Sequence, residues 1–265
     1  MDVYGLIGNP VGHSLSPPMH NAGFATLGID AHYVTFEPEP GAARSAVTAA
    51  ETLGISGLNV TIPFKEDVMT VVDPDDVATE IGAINTVDFT DEEPTGHNTD
   101  VEGAMRALTH HNVSPSGHDA VVVGAGGAAR AIVFGLVDAG ASVAIANRTA
   151  KRAHDLADEF GASGHGLEVL PDLLSDADLL INATSVGMGT TESIVPEAAL
   201  HGDLVVMDAV YRPLETRLLK DADEVGARTI DGAWMLLFQG TAAFERWTGK
   251  DAPVSAMNDA LRSAL

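Results

Sequence analysis

The chain has 265 residues, of which 45% are hydrophobic and 20% charged, a balance that is ordinary for a globular protein and excludes wholesale disorder. Asp and Glu total 38 against 14 Lys and Arg, giving a formal net charge of -24, so the surface would repel a nucleic-acid backbone. The absence of cysteine excludes disulfides, thiolate metal sites and cysteine nucleophiles. Because no apolar run approaches a membrane span of about eighteen residues, and no secretory signal precedes the first strand, we expect a cytoplasmic protein without a membrane partner.

The acidic residues are scattered along the chain, as in Asp73-Pro74-Asp75-Asp76, and form no single tail. This distribution favours a solvated acidic surface of the kind that salt-adapted proteins use, in which high ionic strength screens the repulsion. The alternative is a docking face for a basic partner. In either case an anionic ligand must overcome a negative field, so the few basic residues are candidates for binding it.

The first part of the chain alternates predicted strands and helices, which indicates a layered α/β domain. In chain order, the predicted strands are 3–8, 32–36, 57–61 and 84–89, and the predicted helices are 16–27 and 42–53. A second unit begins near Val101, with predicted strands at 120–123, 142–146, 179–183, 204–209 and 228–230 and helices between them. That pattern predicts a Rossmann-like, doubly wound parallel sheet. Two apolar helices at 233–247 and 254–265 are expected to pack back on the first domain, giving a substrate domain of 1–101 and 237–265 and a cofactor domain of 102–236.

A glycine-rich turn separates the strand that ends at Val123 from the helix that follows. In this turn Gly124 permits the sharp bend, Gly126 lets the backbone approach a pyrophosphate, and Ala129 allows close packing of helix against strand. The helix N-terminus adds free amides and the positive end of its dipole. The turn therefore predicts a dinucleotide-binding site, although glycines also mark plain turns.

The end of the next strand indicates which dinucleotide binds. NAD-binding folds place an acidic residue there, about 20 residues beyond the glycines, for the ribose 2′-hydroxyl. This chain instead has Asn147-Arg148-Thr149, followed by Lys151 and Arg152. A guanidinium can bind a 2′-phosphate in bidentate fashion, so the segment predicts NADP. The alternative is a solvated helix start.

Polar residues in the first domain provide candidates for a substrate site. Ser14 and Ser16 are two positions apart, and on an extended turn both hydroxyls would face a carboxylate. The alternative for Ser16 is that it only caps the following helix. Lys65 lies just beyond the strand that ends at Thr61, where α/β sheets place ligands. Lys65 and Asp100 are a plausible proton-transfer pair for ketone reduction and alcohol oxidation; the alternative is a surface salt bridge.

The sequence resembles the shikimate dehydrogenase family over essentially its whole length. The resemblance is carried by compact motifs spread along the chain: Gly8-Asn9-Pro10, 13–17, 59–65, 82–86, Asn98-Thr99-Asp100, 124–129, Asn147-Arg148-Thr149, 182–188, Asp208-Ala209-Val210-Tyr211, 232–236 and Gln239. It implies reversible, NADP-dependent reduction of 3-dehydroshikimate to shikimate in aromatic amino-acid biosynthesis. It implies no general base at His13 or His20, and no group of His, Asp and Glu has metal-ligand spacing.

The resemblance also assigns roles to individual positions, with Lys65 and Asp100 as the catalytic pair. The implied substrate-binding residues are Ser14, Ser16, Thr61, Lys65, Asn85, Asp100, Tyr211 and Gln239. The implied cofactor-binding residues are Gly124, Ala125, Gly126, Gly127, Ala128, Asn147, Arg148, Thr149, Ala150, Lys151, Arg152, Ala209 and Gly232. Two alternatives stay open: a quinate/shikimate dehydrogenase that uses NAD, and a cofactor-sensing protein of the same fold without turnover. The sequence does not decide whether the protein forms a homodimer.

Overall fold

The computed structural model describes residues 1 to 265, and the chain divides into two compact units. Unit 1 comprises Met1–Thr99 and Gln239–Leu265, and unit 2 comprises Asp100–Phe238. Each unit is built on its own six-stranded sheet. No helix combines the length and the apolar character needed to cross a membrane.

Unit 1 contains six strands and the helices that cover them. In chain order its elements are β1 (Asp2–Ile7), α1 (Ser16–Leu27), β2 (Ala31–Phe36), α2 (Ala43–Thr52), β3 (Gly57–Val60), β4 (Asp73–Pro74), α3 (Asp76–Ile81), β5 (Thr86–Asp88) and β6 (Thr95–His97). A 3₁₀ turn covers Asp67–Thr70. The chain returns at the C-terminal part of α9 (Gly232–Thr248) and ends with α10 (Val254–Ser263).

The sheet of unit 1 has the strand order β2-β1-β3-β5-β6-β4. Strands β1, β2 and β3 run parallel, β5 is antiparallel to β3, and β6 is antiparallel to β5. The carboxyl ends of β1, β3 and β6 and the amino end of β5 therefore lie at one edge of the sheet. The sequence predicted the layered α/β fold, which is confirmed, but not β4 and β6, which have only two and three residues.

The C-terminal helices pack on α1, as the sequence predicted for the first domain. A Cβ atom built on Gly23 in α1 would lie 3.2 Å from the sulfur of Met257 in α10. Tyr4 in β1 stacks between Phe24 and Trp247, with centroid distances of 5.1 and 5.0 Å. The indole Nε1 of Trp247 donates to the Val87 carbonyl at 3.0 Å, so the buried ring also satisfies its polar atom.

One fully buried side chain in this layer is titratable. His20 of α1 is 0% exposed, and its ring lies parallel to that of Tyr33 at a centroid distance of 4.4 Å. Neither ring nitrogen of His20 has a hydrogen-bond partner in the protein. Burial among Phe24, Phe244 and Trp247 lowers the pKa of His20 to about 3, because an apolar surrounding disfavours the imidazolium.

Unit 2 contains a fully parallel sheet with helices on both faces. Its elements are α4 (Thr99–His110, whose first residue closes unit 1), β7 (Asp119–Val123), α5 (Gly127–Asp138), β8 (Ser142–Ala146), α6 (Ala150–Phe160), β9 (Ser163–His165), α7 (Leu170–Leu174), β10 (Leu179–Asn182), β11 (Val205–Asp208), α8 (Arg217–Glu224), β12 (Arg228–Ile230) and the start of α9. Two further 3₁₀ turns cover Leu167–Val169 and Glu197–Ala199. The strand order is β12-β11-β10-β7-β8-β9, and every pairing is parallel.

This arrangement confirms the predicted doubly wound sheet. Chain order reverses at β7, because β8 lies on one side of it and β10 on the other. Ligands of open α/β sheets bind in the crevice at such a reversal, outside the carboxyl ends of the strands. The glycine-rich turn follows β7 directly, so the fold places it at this point.

Candidate active site

The predicted substrate residues of unit 1 follow the strand ends at one edge of its sheet. Ser14 and Ser16 follow β1, Thr61 and Lys65 follow β3, and Asn85 precedes the antiparallel strand β5. Backbone bonds hold these loops together: the Thr61 amide donates to the Ile7 carbonyl at 2.9 Å. A side chain at Gly8 would collide with Thr61 and Val11, so this glycine permits the close approach of the two loops.

The geometry of the two serines differs from the expected extended turn. Leu15, between them, has φ of -94° and ψ of -2°, in the helical region, so alternate side chains do not simply face one way. The Ser14 hydroxyl accepts from the Ser16 amide at 3.2 Å. Leu15 is the N-cap of α1 and Ser16 is the first helical residue, so Ser16 does not stand at the capping position that the alternative gave it. Ser14 is partly exposed, whereas Ser16 is 5% exposed.

The amide side chain of Asn85 is oriented by a buried hydrogen-bond network. Its Oδ1 accepts from the Thr99 amide at 2.8 Å, from the Thr99 hydroxyl at 3.1 Å and from the Thr86 hydroxyl at 3.0 Å. A backbone N–H can only donate, so the atom facing Thr99 must be the oxygen. The Nδ2 of Asn85 consequently lies on the other side of the amide, where it can only donate.

The same network extends through Asn59 to a tyrosine that the sequence did not single out. The Asn59 Nδ2 donates to the Asn85 carbonyl at 3.3 Å and to the Thr86 hydroxyl at 3.0 Å. The Asn59 Oδ1 accepts from the Tyr33 hydroxyl at 2.8 Å. Burial raises the pKa of Tyr33, so its hydroxyl keeps its proton.

The remaining predicted substrate residues are distributed over both units. Lys65 is partly exposed, and its backbone carbonyl accepts from the Ile84 amide at 2.9 Å. Asp100, the first residue of unit 2, is 8% exposed and directly follows Thr99, whose amide is bound to Asn85. Gln239 in unit 1 and Tyr211 in unit 2 are both partly exposed.

In unit 2 the glycine-rich turn has the open backbone that a phosphate requires. Gly124 has a φ of +126°, and a Cβ there would lie 2.9 Å from the Ala183 carbonyl oxygen, so only glycine fits. A Cβ at Gly126 or Gly127 would meet nothing within 4 Å. Gly126 is the N-cap of α5 and supplies no side-chain acceptor to the first-turn amides. These amides and the 12-residue helix dipole fit a pyrophosphate at this turn.

The basic segment 147–152 follows the neighbouring strand β8, with Ala150 as the first residue of α6. The Asn147 side chain donates to the Thr149 carbonyl at 3.0 Å and fixes this loop. Arg148 and Arg152 are exposed. Lys151 is also exposed and pairs with Asp155 one turn later at 2.7 Å, which reduces its availability to a ligand. The exposed Arg148 fits the predicted 2′-phosphate best.

Two residues predicted to approach the nicotinamide lie side by side in unit 2. A Cβ at Gly232 would lie 2.6 Å from the Ala209 carbonyl oxygen. The preceding residue, Asp208, is 0% exposed. Its carboxylate accepts from the Asn182 side chain at 2.9 Å, the Val210 amide at 3.0 Å and the Thr216 hydroxyl at 2.7 Å. Burial raises the pKa of Asp208, and the three donors oppose this effect.

These observations first define a class. Unit 2 is a doubly wound sheet with a glycine-rich turn of the dinucleotide-binding kind, and unit 1 carries a lysine and an asparagine amide of fixed orientation at one edge of its sheet. This combination is typical of a nicotinamide-dependent oxidoreductase of a hydroxylated acid. Comparison with known proteins makes this specific. Residues 6–87 match the shikimate dehydrogenase substrate binding domain, 107–214 match shikimate / quinate 5-dehydrogenase, and 232–262 match the shikimate 5′-dehydrogenase C-terminal domain. The chain belongs to the shikimate dehydrogenase family.

Relatives and solved structures agree with this assignment. The chain is 66% identical to the NADP(+) shikimate dehydrogenase of Haloarcula marismortui, with both chains covered completely. It is 37% identical to the Thermus thermophilus shikimate 5-dehydrogenase solved with NADP(H) and shikimate, at a TM-score of 0.93 and complete coverage of both. Quinate dehydrogenase from Corynebacterium glutamicum, solved with NAD, is 33% identical at a TM-score of 0.92, with 99% of each chain covered.

Proposed function

We propose that the protein catalyses the reversible, NADPH-dependent reduction of 3-dehydroshikimate to shikimate, a step of aromatic amino-acid biosynthesis. The observation that carries this proposal is the exposed Arg148 beyond β8, where an acid would favour NAD. The Asn85 amide, whose orientation the Thr99 backbone N–H fixes, supports it. The full-length 66% identity to an NADP(+) shikimate dehydrogenase supports the same substrate and cofactor.

Unit 1 acts as the substrate domain and unit 2 as the NADP domain in this proposal. Ser14 and Ser16, assisted by Tyr211, bind the ring carboxylate. Asn85 donates to a ring hydroxyl through Nδ2, because its Oδ1 already accepts three hydrogen bonds. Ring hydroxyls are also held by Thr61, Lys65, Asp100 and Gln239.

The catalytic pair handles the proton at the C3 oxygen. In reduction the Lys65 Nζ donates a proton to the oxygen as the ketone becomes an alcohol, and in oxidation it accepts that proton. Asp100 orients the ammonium group and stabilises its charge. The bound nicotinamide supplies or accepts the hydride.

The NADP site consists of residues of unit 2. The amides of the turn from Gly124 to Ala128 bind the pyrophosphate at the start of α5. Arg148, with Arg152, binds the 2′-phosphate, and the loop from Asn147 to Ala150 frames the adenosine ribose. Lys151, whose ammonium pairs with Asp155 at the exposed surface, adds positive charge beside this site. Ala209 and Gly232 leave room for the nicotinamide.

The role of Lys65 is tested by Lys65→Ala, Asp100→Asn and the double variant. We expect each single variant to lower kcat about a thousandfold and the double variant to be no worse than either, because the two groups act as a unit. NADPH binding, followed by its fluorescence, stays unchanged. Lys250→Ala, an exposed lysine in unit 1, is the matched control. Turnover above about a tenth of normal in Lys65→Ala would remove this role.

We also propose a cytoplasmic, salt-adapted enzyme. The net charge of -24 and the 66% identity to a protein of Haloarcula marismortui support adaptation to high salt, since counterions at high ionic strength screen the acidic surface. The NADP-linked biosynthetic reaction supports the location.

A further inference from the structure

The loop that follows β10 is held from within by one buried side chain, Asn182. This residue ends β10 and is 1% exposed. Its Oδ1 accepts from the Thr184 amide at 3.1 Å and from the Thr184 hydroxyl at 2.7 Å. Its Nδ2 donates to the Val186 carbonyl at 3.2 Å and to the Asp208 carboxylate at 2.9 Å. The two donors and two acceptor positions of the amide are therefore all used inside the protein.

Backbone groups fix the direction of these hydrogen bonds. The Thr184 N–H can only donate and the Val186 carbonyl can only accept, so the Asn182 amide has a single orientation. The Thr184 hydroxyl gives its one hydrogen to Asn182 and accepts from the Val186 amide at 3.1 Å. This hydroxyl has no hydrogen left for a ligand, so its bonds serve to close the loop.

The loop closed in this way, residues 183–186, lies against the glycine-rich turn. A Cβ atom at Gly124 would lie 2.9 Å from the Ala183 carbonyl oxygen and 3.2 Å from the Thr184 methyl carbon. Strand β10 is the neighbour of β7 on the side where chain order reverses, and the crevice at such a reversal takes the ligand. The loop therefore forms one wall of that crevice.

The strand order indicates which half of the cofactor this wall faces. The strands run β8-β7-β10-β11 across the sheet. In the proposed NADP site, Arg148 beyond β8 binds the 2′-phosphate and the turn beyond β7 binds the pyrophosphate. The nicotinamide half consequently extends over β10 and β11. Asn182 reaches β11 as well, because it binds Asp208, the residue before Ala209.

We infer that Asn182 is a positioning residue that holds the loop 183–186 as the wall of the crevice beside the nicotinamide half of the cofactor. The inference rests on the proposed NADP site. Because the loop is already ordered, cofactor binding does not have to restrict its backbone. Loosening the loop should therefore weaken cofactor binding although Asn182 itself donates to no ligand.

Variants of Asn182 and Thr184 separate the hydrogen bonds from the packing. Thr184→Val keeps the branched shape but removes the hydroxyl, and we expect the Kd for NADP to rise about fivefold. Thr184→Ser keeps the hydroxyl and removes the methyl group, and the Kd should change less than about twofold. Asn182→Ala removes four hydrogen bonds at once and should raise the Kd about tenfold or more.

Three ligands distinguish positioning of the wall from general destabilisation. NADP and NAD both carry the nicotinamide half, so their Kd values should rise by the same factor in Thr184→Val. Adenosine 2′,5′-bisphosphate carries only the adenosine half with its 2′-phosphate. Its Kd should change less than about twofold in Thr184→Val, because it lacks the half that faces the wall.

A matched control lies in the same connection between β10 and β11. The Ser193 hydroxyl donates to the Val195 carbonyl at 2.8 Å and accepts from the Val195 amide at 3.3 Å. Ser193→Ala thus removes a loop-closing hydroxyl of the same kind at a different place. It should leave the NADP Kd within about twofold of the normal value.

The decisive experiment is calorimetric binding of the three ligands to the complete protein in molar KCl, with a double-mutant cycle of Asn182→Ala and Thr184→Val. If Thr184 acts through Asn182, Thr184→Val changes the NADP Kd less than about twofold in the Asn182→Ala background. An unchanged NADP Kd in Thr184→Val, or an equal rise for adenosine 2′,5′-bisphosphate, overturns the inference and leaves the proposed function standing. Absence of NADP binding by the unmodified protein overturns both.

Discussion

His20 should contribute a separable part of the destabilisation of unit 1 when the pH falls from 7 to 5. The folded pKa of His20 is about 3, whereas an unfolded histidine titrates near a pKa of about 6.5. Below 6.5 the unfolded chain takes up a proton that the folded chain does not. Well above pH 6.5 His20 is neutral in both states and does not affect the free energy of unfolding. As the pH falls from 6.5 towards 3, the free energy of unfolding decreases, because only the unfolded state binds the proton.

The size of this loss follows from the two pKa values. At pH 7 the unfolded state gains about 0.2 kcal/mol from protonating this histidine, and at pH 5 it gains about 2 kcal/mol. The difference, close to 2 kcal/mol, is the part of the acid destabilisation that His20 causes. The 38 acidic residues add their own pH dependence, so His20 must be isolated by a variant. His20→Leu has a similar volume and does not titrate.

The assay is urea unfolding at pH 7 and pH 5 in constant molar KCl. The protein with His20 and the His20→Leu variant both carry Trp234→Phe, so the tryptophan fluorescence comes from Trp247 in unit 1. We expect the free energy of unfolding to fall about 2 kcal/mol more in the protein with His20 than in His20→Leu. Equal losses would refute the reasoning. If His20→Leu does not fold, the Cε1 proton of His20 gives an independent NMR test: a titration above pH 5 would also contradict a neutral, buried ring.

Three further predictions concern the cofactor, the salt requirement and unit 2. Arg148→Ala should raise the Kd for NADP about thirtyfold and the Kd for NAD less than about threefold. Lys151→Ala is the control, and it should change either Kd much less, because Lys151 already pairs with Asp155. An equal rise of both Kd values in Arg148→Ala would contradict the 2′-phosphate assignment. The melting temperature should rise by about 5 °C or more between 0.1 and 2 M KCl, since the Debye length at 0.1 M is about 10 Å and shrinks with added salt; an unchanged value would count against salt adaptation. Asp208→Asn offers one acceptor to the three donors that bind the carboxylate, so thermal unfolding should show a loss of about 2 kcal/mol, and an unaltered melting curve would show that this network contributes little.

The parts of the fold that the sequence predicts are those with strong local signals. The run Ala120-Val121-Val122-Val123 followed by glycines predicts β7, the turn and α5, because a buried parallel strand is continuously apolar. The bounds of β12 also agree with the prediction, although only Ile230 of its three residues is buried. Strands β4 and β6 are short and partly polar, so their sequences show no periodic pattern that would predict them. They form because β6 pairs with β5 and β4 pairs with β6.

The parts that the sequence does not predict depend on register between distant segments. Tyr33 and Asn59 are 26 residues apart, and their contact exists only because β1 lies between β2 and β3 in the sheet. The conformation of Leu15, which overturns the extended-turn prediction for Ser14 and Ser16, is set by the start of α1. By contrast, the pairing of Lys151 with Asp155 has the i,i+4 spacing of a helical ion pair and was readable from the sequence.

The most direct test of the proposed function is an assay of the purified protein in molar KCl with shikimate or quinate and NADP or NAD, following absorbance of the reduced nicotinamide. The account predicts the highest kcat/KM with shikimate and NADP, at least about tenfold above any other pair, since a cofactor lacking the 2′-phosphate forgoes the Arg148 contact. A preference for quinate with NAD, or bound cofactor without any turnover, would contradict it.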